Sequence, residues 1–444
     1  MGSLVLVRVL TSYLTPKEYG QLALSLTAVS LISQIAMNSV SASIGRYLPV
    51  AINRHELPDF ASAAHKILMF SAGVSLLIGI LLSSALWLNQ HGDWALMCLL
   101  GFSFATMSLY NFTANTVQNA ARHRAIVALH TSLETWLKVL FGVVAVVLLG
   151  ASASSALVGY MVAVGLVLLS QWFFLEHVGR QLINQSSATV STDSAAGTAN
   201  QNHTPLVATF STPKHNQSQW QHDIWQFAWP FATWGVFTWA QQVSDLWSLK
   251  TFASTDEVGL YTVIFQLGYA PIILLNAVVQ VFLGPILNQR IEHAQDKHTT
   301  YPTSLTAKTQ NDLNKSKSVH RITWATTLSS LTLTGLAFIF ILNTHAWLFS
   351  FLVASEFRSA SIYLPYMILA GGLFSAGQLL SLKLVSEFNS RSMLSVKVGT
   401  ALLGLILNIL GAWAYGIKGV VGSMVIFAIS YFVWMAWLTW RRPR

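Results

Sequence analysis

The chain has 444 residues, 53% of them hydrophobic and only 9% charged, where soluble domains carry about 25% charged residues. With 16 Trp, 24 Phe and a mean hydropathy of +0.54, it holds more apolar surface than a soluble core of this length can hide. That excludes a soluble fold; the one cysteine, Cys98, excludes a disulfide framework or a cysteine metal site, and the net charge of +9 reads as Lys and Arg gathered on one side of a membrane rather than as nucleic-acid binding.

A membrane-spanning helix needs about 20 mostly apolar residues. A partial segment over 3–14 opens the chain, with no cleavable signal peptide evident before it. Eleven full segments follow, at 20–46, 66–88, 93–118, 126–149, 154–175, 223–249, 257–285, 321–349, 362–386, 392–415 and 418–440. They lack period-two alternation and are too long for barrel strands, so all are expected as helices. The stretch 179–222 is rich in Ser, Thr, Asn, Gln and Ala and reads as a disordered linker. A second polar loop is expected at 288–320, carrying Lys297, Lys308, Lys315 and Lys317.

Numbering the partial segment as the first helix sorts the basic residues onto two sides. One side receives Arg46, Arg54, Lys66, Arg122, Arg124, Arg180, Lys214, Arg290, Arg321, Lys383, Arg391 and the terminal Arg441, Arg442 and Arg444, with the lysines of the second polar loop. The other receives only Lys17, Lys250, Arg358 and Lys418. The positive-inside rule makes the first side, and the C-terminus, cytoplasmic.

The sequence also repeats. Thr15-Pro16-Lys17-Glu18-Tyr19-Gly20 corresponds to Ser254-Thr255-Asp256-Glu257-Val258-Gly259. Each copy sets a hydroxyl residue three positions before Glu, a capping box that starts the next helix, and Pro16 takes the first helical position, where its missing N–H does no harm. Arg124 pairs with Arg391 in the same way, and Gly150 and Gly416 close the matching helices. The expectation is an all-α polytopic protein of about twelve transmembrane helices, the first truncated, in two pseudo-symmetric six-helix lobes over 1–178 and 223–444 joined by the 179–222 linker. Projecting the repeat backwards places the first helix's start before Met1, so either an upstream start codon or a truncated first helix is expected. Repeats of this kind are common in transporters, with the substrate path between them.

The opening Arg8-Val9-Leu10-Thr11-Ser12-Tyr13-Leu14-Thr15-Pro16-Lys17-Glu18-Tyr19-Gly20 resembles the R-x-L-(x)-P-E-E-Y-G pattern between the first two helices of polysaccharide flippases of the multidrug/oligosaccharidyl-lipid/polysaccharide exporter superfamily. Ser41-Ala42-Ser43-Ile44-Gly45-Arg46-Tyr47-Leu48 is similar to the same family's S-x-x-I-x-R-Y-L. The resemblance covers the whole chain apart from its beginning. It implies a V-shaped cavity lined by cationic residues and open alternately to each side of a bacterial inner membrane. The implied substrate is an undecaprenyl-pyrophosphate-linked oligosaccharide, flipped outward for O-antigen, lipopolysaccharide, exopolysaccharide or capsule synthesis. Partners would be that lipid-linked sugar, the bilayer, and polysaccharide polymerase and chain-length machinery; no cofactor, metal or nucleic acid is implied.

Charges deep in a membrane helix usually face a cavity or a partner. Glu134 and Lys138 lie one turn apart, Lys138 roughly 18 Å from the helix's cytoplasmic start, near the midplane. They read either as an intrahelical ion pair or as a cavity cation with Glu134 tuning it or carrying a coupling proton. Lys397 is a second cavity cation or a snorkelling lysine. Arg8 is a third, its guanidinium fork suited to a diphosphate, whereas Arg46 reads as an interfacial anchor. Asp245 is open between a coupling-cation site and an outer-end salt bridge with Lys250. His130 reads as structural. Asn111, Gln118, Gln241, Gln242 and Gln378 suit either sugar binding or interhelical hydrogen bonds. Trp234 and Trp239 sit too deep for an interfacial aromatic belt and are candidates for stacking sugar rings.

Three rivals differ in prediction. A multidrug or cation antiporter of the same superfamily would favour acidic membrane residues over basic ones. An O-antigen polymerase or membrane glycosyltransferase would carry a large outer loop, and no nucleophile, metal-ligand or phosphate-loop pattern is present to support an enzyme. A peptidoglycan-precursor flippase would be expected to add about two C-terminal helices.

Overall fold

The computed structural model describes residues 2–196, 215–295, 305–386 and 390–440, and within those the fold is helical throughout, with no strand. Twelve helices follow in chain order: α1 (Gly2–Thr11), α2 (16–53), α3 (Leu57–Leu88), α4 (Gly92–Ala120), α5 (Arg124–Leu149), α6 (Ala153–Ala196), α7 (Gln217–Phe252), α8 (255–295), α9 (Leu305–Leu352), α10 (Leu364–Ser386, entered through a 3₁₀ turn over Ser355–Tyr363), α11 (390–415) and α12 (417–440). Ten of the eleven full segments fall within one of them; the partial 3–14 overruns α1 by three residues, and 362–386 starts two residues before α10, in the 3₁₀ turn. Among the described residues, eight stretches are long and apolar enough to cross a membrane, and they carry exposed Leu77, Leu81, Phe173, Phe282 and Trp413. On a soluble protein such faces would aggregate; here they are what lipid covers.

Two expected loops shrink. Residues 179–196 continue α6, 215–216 are non-helical and 217–222 begin α7, so of the expected linker 197–214 lies outside the described residues. No proline interrupts 179–196, and an existing helix extends through ordinary residues more readily than a new one nucleates. For the same reason α8 runs on to Gln295 and α9 starts at Leu305, leaving 296–304, with Lys297, outside the described residues.

In both copies the hydroxyl half of the capping box forms. Thr15 Oγ1 accepts the Glu18 N–H at 3.3 Å and Ser254 Oγ accepts the Glu257 N–H at 3.2 Å. The chain divides into two compact units: an N unit over Leu24–Ala240 and a C unit made of Gln241–Arg444 with Ser3–Ala23. The boundaries fall inside α2 and inside α7. Within the C unit the two repeat copies meet directly. A Cβ on Gly20 would collide with the Thr255 carbonyl oxygen, and one on Gly259 with the Pro16 carbonyl oxygen. Small residues at both positions are what allow two helix backbones to cross this closely.

The matching glycines behave alike as well. Gly150 ends α5 at φ 104° and Gly416 separates α11 from α12 at φ 56°, both in the left-handed region that L side chains avoid. At Gly416 the Glu257 carboxylate accepts the Ile417 N–H at 2.7 Å, so the acid of the second capping box also caps α12. Both second helices of the repeat contain a π-helical stretch, over Ser33–Ser41 in α2 and Phe265–Tyr269 in α8. Such segments are often functional.

Candidate functional site

In the N unit, α5 carries its charges on one stripe, His130, Glu134 and Lys138, because residues four apart share a helix face. Lys138 Nζ donates to Glu134 Oε1 at 2.5 Å, and Asn111 Nδ2 on α4 donates to Glu134 Oε2 at 3.0 Å. The ammonium also lies 5.2 Å from the centroid of Phe104, a cation–π contact. Both carboxylate oxygens are therefore satisfied, and the pair is neutral overall. It is not sealed: the side chains of Lys138 and Glu134 keep 24% and 19% exposure. The ion pair read from the sequence is formed, while Phe104 and the Asn111 bond come from a neighbouring helix and left no sign in the local pattern.

The stripe continues away from the pair. His130 Nε2 lies 3.2 Å from Ser170 Oγ on α6, and Gln171 Nε2 donates to Asn115 Oδ1 at 3.1 Å. On the other side of the N unit, Trp239 Nε1 donates to the Thr27 carbonyl at 2.8 Å, so the indole is anchored by its polar edge while its ring is half-buried. The Trp234 side chain lies outside what the structure describes. Arg46 rests flat over Phe227, 4.7 Å from its centroid.

In the C unit, Asp245 is buried, with 4% exposure. Tyr261 OH on α8 donates to its Oδ2 at 2.6 Å, and the Leu246 N–H donates to its Oδ1 at 2.8 Å. The Asp245–Lys250 salt bridge weighed from the sequence is not formed. Five residues along a helix turn Lys250 to a different face from Asp245, and its ammonium instead donates to Thr255 Oγ1 at 2.7 Å. Next to Asp245, Ser244 accepts from Asn408 Nδ2 of α11 at 2.9 Å, so α7, α8 and α11 are tied together at this level. Lys397 is half-buried on α11 and has no salt bridge among the described residues; Arg8 is exposed on α1. Arg8, Asp245 and Lys397 share no hydrogen bond or salt bridge with one another. The sequence treated Lys383 only as an orienting charge, yet it is 2% exposed on α10, with Nζ 3.1 Å from His320 Nδ1 on α9. Among the described residues no group of three His, Cys, Asp or Glu side chains could hold a metal.

Two kinds of chemistry are available. Lys138 offers a hydrogen-bonding cation with a built-in counter-ion, and Asp245 offers a carboxylate held by neutral donors.

No family model matches the chain, and no curated protein matches it. Solved structures do. An inward-facing multidrug-resistance MATE family transporter of the MOP superfamily superposes with a TM-score of 0.62 at 13% identity, over 99% of this chain and 95% of its own. The lipid II flippase MurJ in an inward closed conformation gives 0.62 at 14% identity, over 98% and 84%. An outward-facing MATE family transporter gives 0.53 at 12%, over 99% and 94%. The chain is a multi-pass membrane protein with the all-α fold of these transporters.

Proposed function

We propose that this protein is a flippase that carries undecaprenyl-pyrophosphate-linked oligosaccharide across the bacterial inner membrane for surface polysaccharide synthesis. Two six-helix lobes, 1–178 and 223–444, would alternate in access, with the C-terminus cytoplasmic. The observation that carries the reading is Lys138. A chain with a fold shared by a named lipid flippase and by multidrug transporters places a partly exposed cation deep in α5, held ready by Glu134 and Phe104. An anionic diphosphate that competes with Glu134 gains charge-assisted hydrogen bonds from such a group, whereas a cationic drug gains none. Arg8 and Lys397 would extend the cationic path. Trp239, with Trp234, would stack the sugars. Glu134 and Asp245 would serve coupling. No bond is made or broken in this cycle, so the protein acts as a carrier and not an enzyme, and a polymerase with chain-length machinery would consume what it delivers.

Deleting the gene in its native host and analysing surface polysaccharide together with lipid-linked intermediates tests the reading. The expected outcome is loss of the polymer with undecaprenyl-linked repeat units accumulating on the cytoplasmic face. Complementation with Lys138→Ala should fail and with Lys138→Arg should partly succeed; equal export by wild type and Lys138→Ala removes the residue from the mechanism. Intact polysaccharide with new sensitivity to cationic dyes moves the protein to the drug-antiporter reading, which the MATE likeness and the buried Asp245 favour.

A further inference from the structure

The interface of α4, α5 and α6 holds polar side chains that the ion pair does not use. Along α4, Asn111, Asn115 and Gln118 fall on one face at spacings of four and three. Facing them are His130 and Glu134 of α5, and Ser170 and Gln171 of α6. The file runs from Glu134 to Gln118, about 10 Å along α4 at 1.5 Å per residue, and ends beside the Arg122–Arg124 turn. Several of its polar atoms are buried and have no protein partner: Asn111 Oδ1, Gln118 Nε2, Gln118 Oε1 and Gln171 Oε1. Asn111 is 2% exposed, and Gln118 and Gln171 are wholly buried. Buried amides left without hydrogen bonds are rare, because each forfeits its hydration for nothing in return. Polar groups at this density in one seam are what an internal water needs, with two to four partners each.

We propose that this seam holds a file of internal waters and is the route by which a proton passes between the Arg122–Arg124 end and Glu134. Its upper end is built to accept the proton. The proton binds Glu134 Oε2; no other bond changes, the carboxylate loses its charge, and Lys138 is left as a cation without a counter-ion. Asn111 can serve both states. Its amide N–H donates to the carboxylate now, and turned about its last bond its Oδ1, which has no partner now, accepts the O–H of the acid. Among the described residues, the charged group bonded to Glu134 is Lys138 on its own helix; α4 presents the neutral Asn111 to Glu134 and Phe104 to Lys138. Midway stands His130, against Ser170 and Phe174 of α6. His123 packs on the same Phe174 at the lower end.

What the proton drives rests on the transport reading, but the route itself is testable without any substrate. Infrared spectra of the purified protein, recorded while the buffer is taken from alkaline to acid, read the carboxyl directly. A protonated-carboxyl component in the wild-type-minus-Glu134→Gln difference is expected, since the chain's other carboxyls titrate alike in both. Its shift on transfer to deuterated buffer should be slowed at least about tenfold in Gln118→Met/Gln171→Met, which keeps side-chain volume but removes the polar file. The thermal midpoint supplies the second measurement. If waters fill the seam, Gln118→Met lowers it; if the seam is dry, removing an orphaned amide raises it. A raised midpoint, a wild-type-minus-Glu134→Gln difference with no acid component, or unchanged exchange in the double variant each overturns the proposal. None of them touches the flippase reading, which stands or falls on export.

Discussion

The two units solve one problem in different ways. Each places a carboxylate inside an apolar helix bundle, where an isolated charge is costly. In the N unit Glu134 is answered by a full opposite charge one turn away and keeps a fifth of its surface exposed. In the C unit Asp245 is sealed and answered only by neutral donors, the Tyr261 hydroxyl and the Leu246 N–H. A neutral pair with residual exposure can be opened by an anion that competes for Lys138. A sealed acid with neutral donors has no such competitor and changes state only through a proton or a small cation. Within the proposed function, the first suits the substrate-facing task, with Glu134 also open to a proton, and the second suits coupling alone.

Substitutions can break that contrast, and thermal unfolding in detergent would read them. The largest effect is expected for Lys138→Met, which leaves Glu134 without its cation. Removing one partner of a fully buried pair costs about 3–5 kcal/mol; with both side chains partly exposed, about 2–3 kcal/mol is expected here. Adding Glu134→Gln should recover most of that loss, and a double variant as unstable as the single would mean the pair is not the stabilising unit. Next comes Asp245→Leu, which orphans the Tyr261 hydroxyl and one backbone N–H, for about 2 kcal/mol. Asp245→Asn keeps an acceptor for Tyr261 and should lose less than half as much; equal losses would show that the negative charge, not the hydrogen bond, is what the C unit holds. Tyr261→Phe should cost about 1–2 kcal/mol by withdrawing one donor from a buried carboxylate. The smallest effect is expected for Trp239→Phe, which loses the Thr27 hydrogen bond but keeps the ring, for about 0.5–1.5 kcal/mol.

Much of the architecture was legible in the amino-acid order. Runs of about 20 apolar residues fix spanning helices because lipid leaves backbone groups no other partner. The capping boxes at Thr15 and Ser254 and the breaks at Gly150 and Gly416 were legible for a similar reason: they act over three or four residues, within reach of the local chain. The Glu134–Lys138 pair belongs to the same class, since four-residue spacing brings the two groups together on any helix.

What only the tertiary structure decided are the partners that cross helices. Nothing near Asp245 in the chain announces Tyr261 of the next helix, and the nearer Lys250, a plausible partner by spacing, turns to another face. Phe104 and Asn111 reach Glu134 and Lys138 from a separate helix. Gly20 and Gly259, 239 residues apart, meet only when the two repeat copies cross. Local order specifies hydrogen bonds within one turn and the length of each span. The rotation of one helix about its axis against its neighbours is set by how side chains pack, and it is that rotation that chooses which charge is paired, which is sealed, and which polar atoms are left for water.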